Sequence, residues 1–183
     1  MSIGRPPTGL SRRSALSLCA CAALTGCGFE PIYMRTASGR PGPAQRDLAA
    51  VNVAIIPDRP GQLLRQALQA RFGSDAGDAP ARYKLAVSYS VAGQGINILQ
   101  SSIATRVRMI GTANWTLTAV DGGPAVTSGS AKAVDGFDVL DQQYFAADLS
   151  TEQTQKRLAS ELADEITLQL AVFFRRRAAV ASR

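Results

Sequence analysis

Two long runs in which apolar and polar side chains alternate limit the fold of this chain more than any other feature. The first run covers residues 83–91 and is followed by Gly93 and Gly95, and the second covers residues 105–119. Side chains with a period of two point to opposite faces of a strand, so each run predicts a half-buried β-strand. An Asp-Gly-Gly-Pro turn at 121–124 leads into a third alternating stretch at 125–133. The three runs predict an antiparallel meander, with a bulge at Gly111.

A strand and a helix are predicted before the meander. Residues 51–56 are rich in β-branched side chains and stop at Pro57, which is typical of a short strand. Asp58 is the expected N-cap of a helix whose apolar positions recur at helical spacing as far as Phe72. Gly73 is the expected C-cap of that helix, and residues 74–81 are the expected loop.

A second helix is predicted at the end of the chain. Residues 135–149 show no clear period and predict a loop packed against the domain. Ser150 and Gln153 have the spacing of a capping box, and one apolar stripe runs through residues 150–177 without glycine or proline. The order β-α-β-β-β-α predicts an α+β fold, with a four-stranded, antiparallel-rich sheet and two helices packed on one face.

The first 27 residues have the pattern of a bacterial lipoprotein signal. Arginines at positions 5, 12 and 13 precede an apolar stretch at 14–24, which is too short to span a bilayer as a permanent helix. The stretch ends in Leu-Thr-Gly-Cys, a lipobox in which the thiol of Cys27 would receive a diacylglyceryl group. Cleavage would then leave Cys27 as the first mature residue. The alternatives are an ordinary secretory signal with a chance cysteine and an anchor that is not cleaved.

We therefore expect four segments along the chain. Residues 1–26 are a cleaved signal peptide, and residues 27–50 are the lipidated cysteine with a flexible tether rich in proline and glycine. Residues 51–177 are a single α+β domain, and residues 178–183 are a short C-terminal tail. A tether of this length reaches at most about 80 Å, so the domain is expected to work close to its membrane.

Composition argues against a catalytic, metal-binding or nucleic-acid-binding role. Loss of the signal removes three of the 20 basic residues and none of the 14 acidic ones, so the formal charge falls from +6 to +3. No basic stripe is interleaved with aromatic residues, so nucleic acid is not an expected partner. The three cysteines lie at or before Cys27 and the chain has no histidine. We therefore expect no disulfide, metal site, cofactor or catalytic residue.

Several short motifs, taken together, resemble one family of bacterial lipoproteins. The sequence Cys-Gly-Phe-Glu-Pro-Ile-Tyr at 27–33 resembles the start of the lipopolysaccharide-assembly lipoproteins of the outer membrane, the LptE family in its alphaproteobacterial form. Residues 58–65 resemble that family's junction between the first strand and the first helix, and residues 129–134 and 161–177 resemble its later segments. The resemblance covers essentially the whole mature chain.

This resemblance implies a lipoprotein of the outer membrane that is anchored through Cys27 and faces the periplasm or a barrel lumen. It would lie as a plug inside a large outer-membrane β-barrel, in a one-to-one complex that inserts lipopolysaccharide into the outer leaflet, and would help that barrel to assemble. The alternative is an auxiliary lipoprotein of a phospholipid-transporting ABC system, which can share the anchor, the size and the α+β build. A lipid-anchored hydrolase is disfavoured, because the chain lacks histidine and a G-x-S-x-G motif.

Three basic residues of the meander are candidate ligand-binding residues. Arg106 and Arg108 share one face of the second alternating strand, and Lys132 lies on the strand expected beside it. One interpretation is a cationic patch for lipopolysaccharide phosphates, because guanidinium groups suit bidentate phosphate contacts. The other is an ordinary solvated strand face, or edge charges that discourage aggregation. Three aromatic residues of the meander are expected in the core: Tyr83, Tyr89 and Trp115.

Further charged residues also have two interpretations each. Arg175, Arg176 and Arg177 could contact anionic lipid headgroups, or they could complement the dipole at the C-terminal end of the last helix. Arg59 and Gln62 could contact a partner, or they could fix the junction between the first strand and the first helix.

Overall fold

The described part of the chain comes from a computed structural model and covers residues 42–73, 80–98, 104–139 and 144–181. The predicted signal peptide, the lipobox and the first part of the predicted tether lie outside the described residues. All described residues belong to a single compact unit.

One four-stranded sheet supports the fold. Its strands are β1 (Val51–Val53), β2 (Tyr83–Ile98), β3 (Ala104–Ala119) and β4 (Ala125–Asp138), in the spatial order β1-β2-β3-β4. β1 pairs with β2 in parallel, whereas the β2–β3 and β3–β4 pairs are antiparallel. The parallel pair follows from its connection, which passes through a helix, while short connections join the other strands.

Within the described residues, three helices lie on one face of this sheet. They are α1 (Pro43–Ala49), α2 (Asp58–Phe72) and α3 (Tyr144–Ala181), and they contact one another as well as, for α2 and α3, the sheet. Leu85, Ala113 and Leu117 are fully buried on the side of the helices, while Ser88 and Asn114 on the opposite side are exposed. The predicted α+β class and antiparallel-rich sheet are confirmed, and we call the uncovered side the outer face.

The apolar stripe predicted for the last helix lies at the centre of the core. Its members show no solvent exposure: Leu158, Leu162, Ile166, Leu170 and Phe174. Burial of a side chain of this size contributes about 1.5–3 kcal/mol. Packing of this stripe, rather than intrinsic helix propensity, therefore holds α3 on the sheet.

A glycine in β3 allows α3 to approach closely. A Cβ at Gly111 would lie 3.1 Å from Cδ1 of Leu162. Gly111 is in regular register with both neighbouring strands, so the bulge predicted there is wrong. The irregularity in register lies between Leu117 and Thr118 instead. The glycine provides room for the helix and does not mark an extra residue in the strand.

The last helix is longer at both ends than the sequence predicted. It begins at Tyr144, inside the predicted loop at 135–149, and continues to Ala181, through most of the predicted tail. The extra N-terminal turns carry apolar residues that do not face the core, since Phe145 is 77% and Leu149 51% exposed. No helical period could therefore reveal these turns in the sequence.

The predicted capping box of the last helix is also wrong. Ser150 lies inside α3, and its hydroxyl donates a hydrogen bond to the carbonyl oxygen of Ala146 at 2.8 Å. The helix starts earlier, so Ser150 has no free N-terminal amide to accept from. The predicted loop is shortened at its other end too, because β4 continues to Asp138.

The boundaries of α2 match the prediction at one end only. Gly73 is the C-cap, with a left-handed backbone at φ 71°, as predicted. At the start, Pro57 is the N-cap, no side chain makes a capping hydrogen bond, and Asp58 has a φ of 65°. The prediction that Asp58 caps this helix is wrong, because the chain turns into the helix one residue earlier.

The stretch predicted as tether, residues 27–50, ends in a short helix. Within α1, Ala44 is 5% and Leu48 is 2% exposed, and Asp47 forms an ion pair with Arg82 beside β2. Two buried positions are too few to produce a recognisable helical period. The folded domain therefore includes α1 and does not begin at Val51.

Arg71 joins the two long helices. Its Nε lies 2.5 Å from Oδ1 of Asp164, and its Nη2 lies 2.8 Å from Oδ2. Nη2 also donates to the carbonyl oxygen of Ser160 at 3.0 Å and to its hydroxyl at 2.8 Å. The hydrogen bond from Arg71 lowers the pKa of Asp164. Nearer the start of α2, Arg59 lies 3.5 Å from Glu152, so α2 and α3 run parallel.

We expect Arg71→Ala to lower the free energy of unfolding by about 1–2 kcal/mol, because charge-assisted hydrogen bonds between two helices are lost. The folded pKa of Asp164 is below its unfolded value, so this stabilisation is present above the unfolded pKa and is lost as pH falls through the folded pKa. Urea unfolding at neutral pH and at progressively lower pH should show the difference from wild type shrinking in acid.

Arg59→Ala is the matched control for this experiment. Its ion pair with Glu152 is exposed at both partners, and such pairs contribute about 0.2–1 kcal/mol. Equal losses of stability in the two variants would contradict the special role of Arg71.

Candidate functional site

The two predicted arginines lie together on the outer face, near one end of the sheet. Arg106 of β3 is in register with Asp138 of β4, and Arg108 is in register with Gly136. Positions two apart on a strand project to the same side and are about 7 Å apart along it. We call the end of the sheet that carries these residues the distal end.

An open cavity of about 440 Å³ lies at the distal end. Its lining combines cationic, aliphatic and backbone groups: Ile96, Arg106, Arg108, Val134, Asp135 and Gly136. Gly136 has no room for a side chain, because a Cβ there would lie 2.7 Å from the carbonyl oxygen of Val107. Arg108 therefore faces no side chain at its partner position on β4. A cavity with guanidinium and aliphatic walls suits an amphipathic anion.

The carboxylates near this cavity are already engaged. Oδ2 of Asp135 lies 2.5 Å from Nε of Arg157 on α3, and the N–H of Gly136 donates to its Oδ1 at 2.7 Å. Burial raises the pKa of Asp135, but the hydrogen bonds from Arg157 and Gly136 outweigh it, and the pKa lies below its ordinary value. Arg106 is 3.6 Å from Asp138, and both side chains are exposed. Within the described residues, Arg108 has no ion-pair partner.

Lys132, the third predicted residue, is on the same face but outside the cavity. It is in register with Thr112, four residues along β4 from Gly136. At the rise of a β-strand this separation is about 13 Å. The structure thus brings Arg106 and Arg108 together and leaves Lys132 apart from them.

The middle of the outer face carries uncharged polar side chains. Ser88, Asn114 and Ser130 are in register across β2, β3 and β4, and Thr116 and Ser128 form the next pair. A second open cavity, of about 510 Å³, lies over this region. Its hydroxyl and amide groups can both donate and accept hydrogen bonds. Sequence reasoning missed this cluster and the contribution of Gly136, because both depend on register between strands.

Two of the three aromatic residues predicted for the core are buried, whereas Tyr89 is only half-buried. Tyr83 is 8% and Trp115 is 4% exposed, and the indole N–H of Trp115 donates to Oε1 of Gln169 at 3.1 Å. The hydroxyl of Tyr89 is buried and has no hydrogen-bond partner among the described residues. Burial raises the pKa of Tyr89 to about 12.

Arg59 contacts Glu152, and therefore contributes to packing of the two helices.

The described residues of the outer face carry groups suited to non-covalent binding. Across the described ranges, no cluster of three or more His, Cys, Asp or Glu side chains could hold a metal ion. None of the described helices has both the length and the apolar character that a membrane span requires. The outer face provides two guanidinium groups and a polar ladder, which can bind an anion by hydrogen bonds and ion pairs.

These features define a small two-layer α+β binding domain with one sheet face left open. The model of the LptE family, described as lipopolysaccharide-assembly, matches residues 48–170. The chain therefore belongs to the LptE family, and the predicted resemblance is confirmed. Membership of this family gives the chain a role in lipopolysaccharide assembly.

Solved structures of bacterial lipoproteins have a similar fold. A Caulobacter crescentus CB15 protein assigned as a lipoprotein is 26% identical, with a TM-score of 0.59 over 72% of this chain and 95% of that one. Rare lipoprotein B from Shewanella oneidensis is 12% identical, with a TM-score of 0.50 over 67% of this chain and 92% of that one. A minor lipoprotein from Acinetobacter baumannii is 16% identical, with a TM-score of 0.50 over 67% and 88%. The comparison with curated protein sequences gave no match.

Proposed function

We propose that this protein is a non-catalytic outer-membrane lipoprotein that plugs the β-barrel which inserts lipopolysaccharide and helps that barrel to assemble. The match to the LptE family carries this proposal. The outer face supports it, because Ser88, Asn114 and Ser130 form an uncharged polar surface. The interior of a large outer-membrane barrel is polar, so such a surface suits its lumen. No observation favours an accessory role in phospholipid transport.

The plug proposal predicts a stable complex with the barrel. The native protein should copurify from outer membranes with the barrel subunit at one-to-one stoichiometry, because most of the domain would lie inside the barrel. Depletion of the protein should lower the amount of correctly assembled barrel, measured by heat-modifiable migration on gels. If the native protein is a free monomer and barrel assembly is unchanged after its depletion, the proposal is wrong.

We further propose that acylation of Cys27 attaches the protein to the outer membrane. The lipobox that ends at Cys27 supports this step. A single acyl chain gives only marginal membrane binding, whereas several chains together give stable attachment, at about 0.8 kcal/mol per buried CH₂.

Cys27→Ala should therefore block acylation and leave an unprocessed or soluble protein. Membrane fractionation and the mass of the N-terminal peptide measure this outcome. Cys27→Ala protein that still loses its signal and fractionates with the outer membrane would show that the lipobox is not used.

The distal cavity is the proposed contact for lipopolysaccharide phosphates. Arg108 lacks an ion-pair partner among the described residues, and Arg106 has only an exposed one at 3.6 Å. Both guanidinium groups line the same cavity as the aliphatic residues Ile96 and Val134. This arrangement suits a ligand that carries clustered phosphates beside acyl chains.

Arg106→Ala/Arg108→Ala should weaken lipopolysaccharide binding by at least about tenfold, because a hydrogen bond to a charged group contributes roughly 1.5–3 kcal/mol. Binding of the double variant should also depend less on salt, since the lost contribution is electrostatic. Lys132→Ala, on the same face but outside the cavity, is the matched control and should change affinity by less than about threefold. Unchanged affinity and salt dependence in the double variant would mean that the arginines form an ordinary solvated face.

A further inference from the structure

Basic side chains converge at the end of the sheet opposite the distal end. Arg82 directly precedes β2, and Arg175, Arg176 and Arg177 lie near the end of α3, all of them exposed. Tyr83 brings the two groups together: Nη1 of Arg177 donates to its hydroxyl at 3.3 Å, and the Arg82 guanidinium lies 5.8 Å from its ring centroid. We call these four arginines the basic end.

The helix dipole does not account for the arginines of α3. The helix continues to Ala181, and its last turn contains no basic residue. The favourable effect of the dipole on a cation falls off within the last turn. Arg175, Arg176 and Arg177 therefore lie outside the region where the dipole would stabilise them appreciably.

Exposed aliphatic side chains accompany these cations. Val120 is 52% exposed, and its N–H donates to the carbonyl oxygen of Arg82 at 3.1 Å. Val180 is 75% exposed and follows Arg176 by one helical turn, so both lie on one side of α3. Arginines beside exposed aliphatic residues are typical of surfaces that bind at the headgroup level of a membrane.

Acidic residues offset only part of this charge. Asp47 is already ion-paired with Arg82, and Asp75 and Asp78 lie outside the described residues. Two further exposed cations, Arg46 and Lys84, lie beside Asp47 and Arg82 in the sequence. Among the described residues at this end, the basic residues thus outnumber the acidic ones, which are Asp47 and Asp121.

The chain also enters the fold beside the basic end. α1 starts at Pro43, and its Asp47 contacts Arg82. The segment from Cys27 to Gly42 spans at most about 55 Å. The distal end is about 40 Å farther along the sheet, because Arg106 and Ala119 are at opposite ends of β3. The predicted tether therefore joins the domain on the side of the basic end.

We propose that the basic end rests on the anionic phospholipid headgroups of the membrane that holds the lipid anchor. The arginines supply electrostatic attraction, and Val120 and Val180 enter the interfacial layer. The orientation of the domain relative to the membrane rests on the proposed anchor at Cys27, whereas the affinity of the basic end for anionic lipid does not.

Vesicle binding by the unit Arg35–Arg183, which carries the whole described core and lacks Cys27, tests this surface. The unit should co-sediment with phosphatidylcholine vesicles that contain phosphatidylglycerol, and binding should fall as salt rises. Vesicles of phosphatidylcholine alone should bind much less. A headgroup-level arginine changes the partition coefficient by about fivefold, so Arg175→Gln/Arg176→Gln/Arg177→Gln should lower it on the order of a hundredfold.

Two further triple variants test whether vesicle binding depends on the basic end itself rather than on net charge or correct folding. Arg175→Lys/Arg176→Lys/Arg177→Lys keeps the charge and should bind within about threefold of wild type. Arg59→Gln/Lys132→Gln/Lys156→Gln removes the same charge from exposed positions elsewhere and should also bind nearly normally. An equal loss in this last variant, or no binding of wild type to anionic vesicles, overturns the proposal.

A fluorescent label measures the orientation directly. The unit contains no cysteine, so Val180→Cys and Val134→Cys each give one labelling site, at the basic end and on the distal outer face. Brominated lipids should quench the label at position 180 and spare the label at position 134. The reverse result overturns the proposal. Failure here would leave the barrel and lipid-anchor proposals standing, because copurification and the Cys27→Ala variant test those separately.

Discussion

Packing of α3 against one face of the sheet is the contact on which the other features of this domain depend. Leu162 reaches the sheet where Gly111 leaves room for it, and the rest of the α3 stripe is equally buried. Arg71 then fixes α2 to α3 through Asp164. Because all three described helices are held on this side, none of them covers the outer face, which carries the candidate site.

The sequence predicted those parts of the fold that produce a regular pattern. Alternation along the strands and the stripe of α3 revealed the α+β class, and Gly73 marked the end of α2. The missed parts lack a pattern: α1 buries only Ala44 and Leu48, and the first turns of α3 expose Phe145 and Leu149. A helix with two buried side chains, or one that projects beyond the core, leaves almost no periodic signal.

The candidate site likewise has features that the sequence predicts and features that only the folded structure reveals. Alternation alone predicts that Arg106 and Arg108 share a face, but it does not reveal that Gly136 lies opposite Arg108. Register between strands determines that cavity, and register also places Lys132 about 13 Å away from it. The engagement of Asp135 by α3 likewise depends on tertiary packing. The sequence could therefore predict which basic residues share a face of the sheet. Which of them lie close together became clear only from the pairing of the folded strands.

The length of the sheet connects the two proposed binding surfaces. The basic end and the distal cavity are about 40 Å apart along β3. This separation is close to the thickness of a bilayer with its headgroups, about 40–45 Å. If the basic end rests at the periplasmic headgroups and the domain lies along the barrel axis, Arg106 and Arg108 reach roughly the level of the outer leaflet. The arginines at the two ends would then serve different lipids, with anionic phospholipid at one end and lipopolysaccharide at the other.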